Sequence, residues 1–478
     1  MRENDRAEMT LPISEILAII MVVAVCGALM GGYPVALTLG GVSLIFAFVG
    51  DAFGIFPVSL LLALPPRVFG VVTNDTLVAI PLFVFMGVML ERSRIAEDLL
   101  ETMARLFGKF TGGLAIAVLA VGVLLAAAKG IVGATTVTMG LIVLPTMLRH
   151  GYDPRLAAGT VAATATLAQI FPPATVLVLL GDQLSNAYQA AQLAQGIFSP
   201  QAVTVSDLFA GAMIPAFGLV LLYLLFLIAV AVLWPKSSPA IPPEPNAPHG
   251  LALMRRLAQV MVAPLLLILA VLGSILGGIA TPSESASIGA VGAILLALVR
   301  TDTQRGWIDG VLVPVLQRTA QITSMIFLIL IGATLFSLVF RGFGGDDMVN
   351  RALTDLPGGT AGAVLAVMVA LFFLGFVMDA FEIIFVVVPI VAPVLLKLPG
   401  VDPVWLGVMI AMNLQMSYMH PPLGPTLFYL RGVAPKEITT MHIYVGIIPF
   451  VVIQMVALVA LWFMPALATW LPHKLYGG

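Results

Sequence analysis

The chain has 478 residues, of which 60% are hydrophobic and only 10% are charged, and its formal net charge is -2. A soluble globular domain has roughly 25% charged residues, so the composition excludes a soluble protein and predicts a polytopic membrane protein. The balanced charge gives no indication of nucleic-acid binding. The one cysteine, Cys26, excludes disulfides within the chain and a Cys-based metal site.

The first half begins with apolar spans near residues 13–31, 33–50 and 76–91, each long enough to cross a bilayer. The first resembles a signal peptide, but its counterpart recurs after Leu251, so we interpret it as a membrane helix. An amphipathic segment follows and is predicted to lie along the membrane surface. Its apolar side consists of Ile95, Leu99, Leu100, Met103, Leu106 and Phe107.

Two short apolar stretches come next, and the small residues between them predict a re-entrant helical hairpin over residues 113–148. A helix at about 156–181 is predicted to break at Pro172-Pro173, because proline cannot continue a helix. A final span over 207–234 completes the half. No Walker A string of the G-x-x-x-x-G-K-S/T type is present, so an ATP-driven step would need another subunit.

The second half repeats this order after a proline-rich linker at residues 235–250. Its predicted spans are 255–276, 282–300 and 320–340, followed by a hairpin at 361–397, a helix at 404–431 broken at Pro421-Pro422, and a last span at 441–470.

Matching landmarks indicate that the two halves are a duplication. Asp153-Pro154 precedes the first Pro-Pro pair by the same interval as Asp402-Pro403 precedes the second, and the string AVLAV occurs in both hairpins. Each half crosses the membrane an odd number of times, so the halves are inverted relative to each other. The predicted fold is therefore an all-α polytopic membrane protein with two inverted repeats, residues 1–234 and 251–478.

The distribution of Lys and Arg predicts the orientation of these repeats. With the N-terminus and the C-terminus outside, in the periplasm, most of the 22 Lys and Arg residues lie in inner loops. The first hairpin then enters the membrane from the cytoplasm and the second from outside. Lys129 falls within the membrane.

The two breaks are predicted to bind ions. A helix that opens in lipid leaves backbone groups that only protein, water or an ion can satisfy. The candidate residues are Thr164, Thr166, Gln169, Pro172 and Pro173 at the first break, and Asn413, Gln415, Ser417, His420, Pro421 and Pro422 at the second. Their neutral oxygens, with backbone carbonyls near Thr166 and Ser417, suit Na+.

The hairpin tips are predicted to complete the site. The candidates are Lys129, Gly130, Gly133, Thr135 and Thr136 in the first tip, and Gly375, Asp379 and Glu382 in the second. Small residues allow a close approach to the broken helices, and helix N-termini can face an anionic substrate. Ionisable groups at membrane depth are costly and usually functional; tips near a surface would weaken that argument.

Four segments of the chain resemble the large membrane subunit of TRAP transporters, the tripartite ATP-independent periplasmic systems. They are GIVGATTVTMGLIVLPTMLRHGYDPRLAAG, the ending QIFPP, LGFVMDAFEII, and NLQMSYMHPPLGPTLFYLRGVAP. The resemblance covers nearly the whole chain and is greatest for the branch labelled for mannitol or chloroaromatic compounds.

This resemblance implies partners and a mechanism. The partners are a small membrane subunit with four spans and a periplasmic binding protein that delivers an organic acid, often a carboxylate. Uptake across the bacterial inner membrane would be driven by a Na+ gradient, with no other cofactor. Residues of about 113–185 and 359–432 would move as an elevator against a scaffold formed by the other spans.

Three residues depart from the pattern of that family. Lys129 and His420 replace small hydroxyl residues, and Met416 replaces a threonine. One hypothesis is that Lys129 takes the place of a sodium ion or pairs with the substrate, while His420 adds pH dependence. In the alternative, Lys129 extends to the surface and His420 bonds a freed carbonyl. Unchanged Na+ and pH dependence in Lys129→Ser and His420→Thr would contradict the first hypothesis.

Other functions remain open from the residues alone. A stand-alone anion symporter coupled to Na+ or H+ would have the same inverted repeats without needing a binding protein. A membrane enzyme would need a nucleophile and a base, and the sequence has no such pattern. A channel would seldom need paired hairpins and two broken helices.

Overall fold

A computed structural model of the chain describes residues 12–93, 95–130, 132–241, 251–300 and 307–477. Within these residues all regular elements are helices, which confirms the all-α prediction. Most of the predicted linker lies outside the described residues. The side chain of Lys129 does so too, although its backbone ends a helix.

The helices of the first half are α1 (Ile13–Met30), α2 (Val35–Ala52), α3 (Leu64–Val72), α4 (Ala79–Arg92), α5 (Ile95–Phe107), α6 (Gly113–Lys129), α7 (Val132–Arg149), α8 (Pro154–Thr166), α9 (Thr175–Ala194) and α10 (Val205–Leu233). Helices α6 and α7 form the first predicted hairpin, and α8 and α9 are the two parts of the first broken helix.

The helices of the second half are α11 (Leu251–Leu276), α12 (Pro282–Arg300), α13 (Val313–Gly342), α14 (Gly345–Thr354), α15 (Gly359–Leu374), α16 (Ala380–Val386), α17 (Val388–Leu395), α18 (Pro403–Met419), α19 (Pro425–Val433), α20 (Thr440–Phe463) and α21 (Ala466–Tyr476). Helices α15 to α17 form the second hairpin, and α18 and α19 are the second broken helix.

Seven helical stretches in the described part of the chain are long and apolar enough to cross a membrane, so the protein is polytopic. They are Ile13–Met30, Val35–Ala52, Val132–Arg149, Val205–Leu233, Pro282–Val299, Ile308–Gly342 and Thr440–Phe463.

Several helix bounds differ from the sequence prediction. Helix α3 occupies a stretch for which the sequence predicts no helix, and α9 continues to Ala194, beyond the predicted end at about 181. A turn of π-helix, Ile308–Leu312, leads directly into α13, so that helix begins well before the predicted 320. The final span is two helices, because α20 ends at Phe463 and Pro465 precedes α21.

Both broken helices begin with the same cap. The carboxylate of Asp153 accepts a hydrogen bond from the backbone N–H of Arg155, and that of Asp402 accepts from Val404 and Trp405. Proline occupies the first helical position in each, where its missing N–H has no cost. The repeated Asp-Pro pairs are therefore the start signals of the two broken helices.

Helices α2, α4, α12 and α13 are the centre of one packed group, with α1, α3 and α11 around them. The backbones approach closely at glycines: a Cβ on Gly332 of α13 would lie 2.5 Å from the carbonyl oxygen of Ala36 in α2. A Cβ on Gly289 of α12 would lie 2.5 Å from the sulfur of Met86 in α4. We name this group the scaffold group.

The hairpins and broken helices form a second packed group with α10, α20 and α21. Helices α8 and α20 cross backbone to backbone, since a Cβ on Gly159 would overlap the carbonyl of Gly446. Trp405 of α18 donates its indole N–H to the Leu461 carbonyl of α20 at 2.9 Å. Each hairpin contacts both broken helices. We name this group the hairpin group.

Candidate functional site

The first break is fully buried. Helix α8 ends at Thr166, and a 3-10 turn, Leu167–Gln169, leads into a non-helical stretch that contains the cis bond Pro172-Pro173. The ring of Phe171 packs edge-on against Phe217 of α10, with centroids 5.0 Å apart. The residues of this break are shielded from the surface by the surrounding helices.

The second break reaches the surface. Helix α18 runs to Met419, and the cis bond Pro421-Pro422 follows, with Pro422 exposed. His420 stacks on Phe376 with ring centroids 5.6 Å apart, and its Nδ1 lies 2.6 Å from the Pro421 carbonyl oxygen. The Pro422 carbonyl accepts a hydrogen bond from the hydroxyl of Tyr444 at 3.1 Å. Protein groups therefore contact both proline carbonyls of this break.

The first hairpin tip lies against the broken helix of its own repeat. Gly130 ends α6 with φ +61°, in the left-handed region that favours glycine, and a Cβ there would lie 2.8 Å from Oγ1 of Thr175. Deeper in the hairpin, a Cβ on Gly122 would overlap Thr164 of α8. Tip and break are thus packed without space for a side chain at either glycine.

The second tip is held to α18 by a tyrosine. The hydroxyl of Tyr418 donates a hydrogen bond to the Asp379 carboxylate and accepts one from the backbone N–H of Ala380 at 3.3 Å. A Cβ on Gly375 would overlap the hydroxyl of Ser417. The side-chain amide of Asn413 donates to the Met368 carbonyl of α15 at 2.7 Å.

A cavity of about 480 Å³ lies between these tips and the scaffold group, and we name it the tip cavity. The first turns of α7, α9 and α16 line it, through Val132, Val176 and Ala380, and α19 contributes Tyr429. Since a helix N-terminus carries a partial positive charge, the ends of α7 and α9 favour an anion here, whereas the Asp379 carboxylate offsets the end of the short helix α16. The predicted site residues that line it are Gly130, Gly133, Gln169 and Asp379.

Most of the other predicted residues are enclosed by the helices and do not line the cavity, whereas Pro422 is exposed and the side chain of Lys129 lies outside the described residues. The hydroxyls of Thr136, Thr166 and Ser417 donate to carbonyls of their own helices, at 2.9 Å each. Thr135, Thr164, Glu382, Asn413 and Gln415 are buried.

Buried oxygen atoms without a hydrogen-bond partner occur at both breaks. At the first they are Oε1 of Gln169 and Oγ1 of Thr175; at the second they are Oε1 of Gln415, Oγ1 of Thr426 and Oε2 of Glu382. Leaving such atoms unpaired is unfavourable, and a bound cation is one of the groups that satisfies them. Nε2 of Gln415 is likewise without a partner.

The scaffold group supplies lining residues that the sequence interpretation missed. They are Glu91, Arg92, Arg318 and Gln321, from α4 and α13. The positive-inside rule places Arg92 and Arg318 in inner loops, where their charges would serve only to set the topology. The start of α13 at residue 313 places Arg318 inside the helix, and that extended helical pattern was the signal available in the sequence.

A second cavity, of about 510 Å³, lies between the same two groups of helices toward the other end of α13; we name it the opposite cavity. The amide of Asn74 donates to Asp182 of α9 at 2.8 Å, and Arg341 of α13 donates to the Pro389 carbonyl at 3.3 Å. Arg341 also pairs with Asp346 at 3.1 Å. Partial burial raises the pKa of Asp346, while this guanidinium opposes the shift.

Comparisons with known proteins identify a family of membrane transporters. A family model described as "Tripartite ATP-independent periplasmic transporter, DctM component" matches residues 20–467. The chain is similar to the C4-dicarboxylate TRAP transporter large permease protein DctM of Vibrio cholerae, at 27% identity over 96% of this chain and 98% of that protein. It is also similar to the sialic acid TRAP transporter large permease protein SiaM of Vibrio cholerae, at 24% identity over 94% and 97%.

The fold is similar to that of a solved transporter. The crystal structure of the YdaH transporter of Alcanivorax borkumensis superposes with a TM-score of 0.61 and 14% identity, and the match covers 95% of this chain and 99% of that one. At this identity the likeness concerns the fold alone.

Proposed function

Because the chain belongs to the DctM component family of tripartite ATP-independent periplasmic transporters, we propose that it carries an organic acid inward across the bacterial inner membrane, driven by a Na+ gradient. Family membership makes the chain a multi-pass inner-membrane transporter component and not an enzyme. The branch of the family to which the chain belongs, the coupling ion and the substrate are proposals.

One observation supports an anionic substrate most directly. The first turns of α7 and α9 line the tip cavity, and their N-terminal ends, with Arg92 and Arg318 in the same lining, favour a negative charge. The named substrates of the two relatives, C4-dicarboxylates and sialic acid, are carboxylates. A carboxylate in the tip cavity is consistent with both.

The unpaired oxygens support Na+ as the coupling ion. Gln169 and Gln415 are 2% and 1% exposed, and each side chain presents a buried carbonyl oxygen without a donor. Neutral oxygens of this kind suit a hard monovalent cation. A sodium ion at each break would satisfy atoms that otherwise destabilise the folded protein.

The packing supports movement of the hairpin group as one body. The close contact of Gly159 with Gly446 and the hydrogen bond from Trp405 join α20 to both broken helices. We therefore assign α10, α20 and α21 to the moving body, which enlarges the body expected from the sequence. The scaffold group would remain fixed while this body carries the site across the membrane.

With both termini in the periplasm, each cavity can be assigned to one side of the membrane. The tip cavity includes Arg92, which ends α4 on the same membrane face as the base of the first hairpin. On this proposal the tip cavity opens to the cytoplasm and the opposite cavity to the periplasm. The conformation is then inward-facing.

Two partners complete the proposed transporter, a small membrane subunit with four spans and a periplasmic binding protein. The test is uptake into proteoliposomes that contain the chain and the small subunit, with the binding protein added outside. Labelled succinate and N-acetylneuraminate are offered with an inward Na+ gradient, and a K+ gradient is the matched control.

We expect uptake of at least one acid only when Na+ and the binding protein are both present. Uptake without the binding protein would instead identify a stand-alone symporter. Equal uptake in Na+ and K+ would contradict sodium coupling.

A further inference from the structure

Helices α4 and α13 form the wall of the scaffold group that faces the hairpin group. Residues of both helices, or of their immediate flanks, line the tip cavity and the opposite cavity. Between the residues that line the two cavities this wall is apolar, over residues 79–83 of α4 and 326–329 of α13. A charge there would hold an anion midway, so an apolar middle suits a surface that a loaded site slides past.

The charged residues of the wall lie at its two ends. Arg92 and Arg318 line the tip cavity, and Arg67 and Arg341 line the opposite cavity. Arg318 and Arg341 are 23 positions apart in one helix, which corresponds to about 34 Å at 1.5 Å per residue. The wall therefore has one pair of guanidinium groups at each mouth of the path.

Three of these guanidiniums are available to a ligand. In the part of the chain that the structure describes, Arg67, Arg92 and Arg318 are exposed and have neither an ion pair nor a hydrogen bond to their side chains. Arg341 bonds Asp346 and the Pro389 carbonyl. Each guanidinium has five N–H donors in a planar fork that matches a carboxylate or sulfonate.

The carboxylates of the two cavities already have donors. Glu91 accepts a hydrogen bond from Thr138 at 2.8 Å, and Asp379 accepts one from Tyr418. Asp182 accepts from Asn74 at 2.8 Å and from Gln183 at 3.0 Å. Each of these acids thus accepts at least one hydrogen bond, whereas the side chains of Arg67, Arg92 and Arg318 can turn toward a ligand.

We propose that the arginine pairs at the two ends of the α4 and α13 wall bind the acid group of the transported anion as it enters and leaves: Arg67 with Arg341, and Arg92 with Arg318. This inference rests on the proposed transport of an organic acid. It assigns to the fixed scaffold group a share of substrate recognition at both mouths, separate from the site between the hairpin tips.

The test measures whether the arginines make each cavity selective for anions. In a Cys26→Ser background, Gln321→Cys supplies a single thiol in the tip cavity, one turn from Arg318. The full-length chain in proteoliposomes with its small subunit is treated with MTSES, a sulfonate, or with MTSET, a quaternary ammonium. The measured quantity is the rate of reaction with MTSES divided by the rate with MTSET. This ratio cancels differences in thiol reactivity between variants.

We expect Arg318→Gln to lower this ratio roughly tenfold at low ionic strength, because one charge about 6 Å from the thiol acts with opposite sign on the two reagents. Arg318→Lys keeps the charge and should retain most of the ratio, which separates the electrostatic effect from misfolding. The effect should shrink in 1 M salt.

Two controls locate the effect in the cavity. Arg149→Gln removes a guanidinium from the last turn of α7, on the same membrane face but outside the cavity lining, and should leave the ratio unchanged. Arg67→Gln should also leave it unchanged, since the opposite cavity lies about 34 Å away along α13, beyond the Debye length of about 30 Å even at 0.01 M ionic strength. With Asn186→Cys as the thiol in the opposite cavity, the roles of Arg67 and Arg318 should reverse.

An unchanged ratio in Arg318→Gln, or an equal fall in Arg149→Gln, would overturn the proposal. The arginines would then only set the membrane topology of their helices. The reaction rates do not depend on transport. If no acid is taken up but the ratio still falls, the proposed function fails while the anion-binding pairs stand.

Discussion

The two helix breaks share a frame and differ in their chemistry. Both begin at an Asp-Pro cap and contain a cis Pro-Pro bond, and a hairpin tip packs against each. The first break is enclosed and presents neutral groups, chiefly Gln169 and Thr175. The second reaches the surface and has Asp379 and Glu382 in its hairpin tip.

A shared frame with different side chains is consistent with the duplication that the sequence predicts. The frame depends on backbone geometry, which capping, proline and close glycine contacts determine, so both copies must keep it. The side chains around the opened backbone have no such constraint. We infer that the two half-sites bind ions with unequal strength and that the second contributes more to substrate coupling.

The largest expected effect follows from removing the charge of the second tip. Asp379→Asn should lower the initial rate of acid uptake at least about tenfold, because a hydrogen bond to a charged group contributes roughly 1.5–3 kcal/mol. Tyr418→Phe removes the donor and should act in the same direction. Asp347→Asn, at an exposed carboxylate of α14, is the matched control and should leave the uptake rate unchanged. Equal losses of uptake in Asp379→Asn and Asp347→Asn would contradict a special role for the second tip.

An intermediate effect should distinguish the two glutamines. Gln415→Met and Gln169→Met each remove an amide with unpaired buried atoms, and we expect both to reduce the rise in melting temperature that Na+ produces relative to K+. The reduction should be larger for Gln415, whose two amide atoms both lack partners. In K+ both variants should be as stable as the parent or more stable. A full Na+ response in both would contradict sodium binding at the breaks.

The smallest effect on uptake is expected at the aromatic residue that precedes each Pro-Pro pair. Phe171 and His420 each precede a Pro-Pro pair, and both pack against phenylalanine rings. His420→Phe keeps this ring contact, so uptake should stay within about threefold of the parent. Uptake measured across a range of pH provides the check. A variant that loses its pH dependence would restore the hypothesis that His420 is a proton-sensitive group.

Much of the fold could be predicted from the sequence because its signals are local. Apolar length identified the spanning helices, and the Pro-Pro pairs located both breaks. The sequence did not predict that α20 ends at Phe463 or that α3 forms. Apolar length does not mark either boundary, because α3 lies in the short apolar stretch Val58–Val72 and α21 follows α20 after only two residues.

The candidate site was only partly predictable. Gly130, Gly133, Gln169 and Asp379 line the tip cavity as the tips and breaks suggested. Arg92 and Arg318 line it as well, but they come from α4 and α13, outside the hairpins and the broken helices, and the helical pattern that places Arg318 inside α13 does not show that α13 faces the tips.

The sequence by itself thus determined an all-α polytopic membrane protein with two hairpins and two opened helices, because hydropathy and proline act on the nearest residues. The tertiary structure decided which side chains meet: the glycine crossing that joins α8 to α20, the unpaired oxygens at the breaks and the arginines at both mouths. Such contacts depend on how helices from different parts of the chain cross, and crossing geometry follows from the packing of whole surfaces.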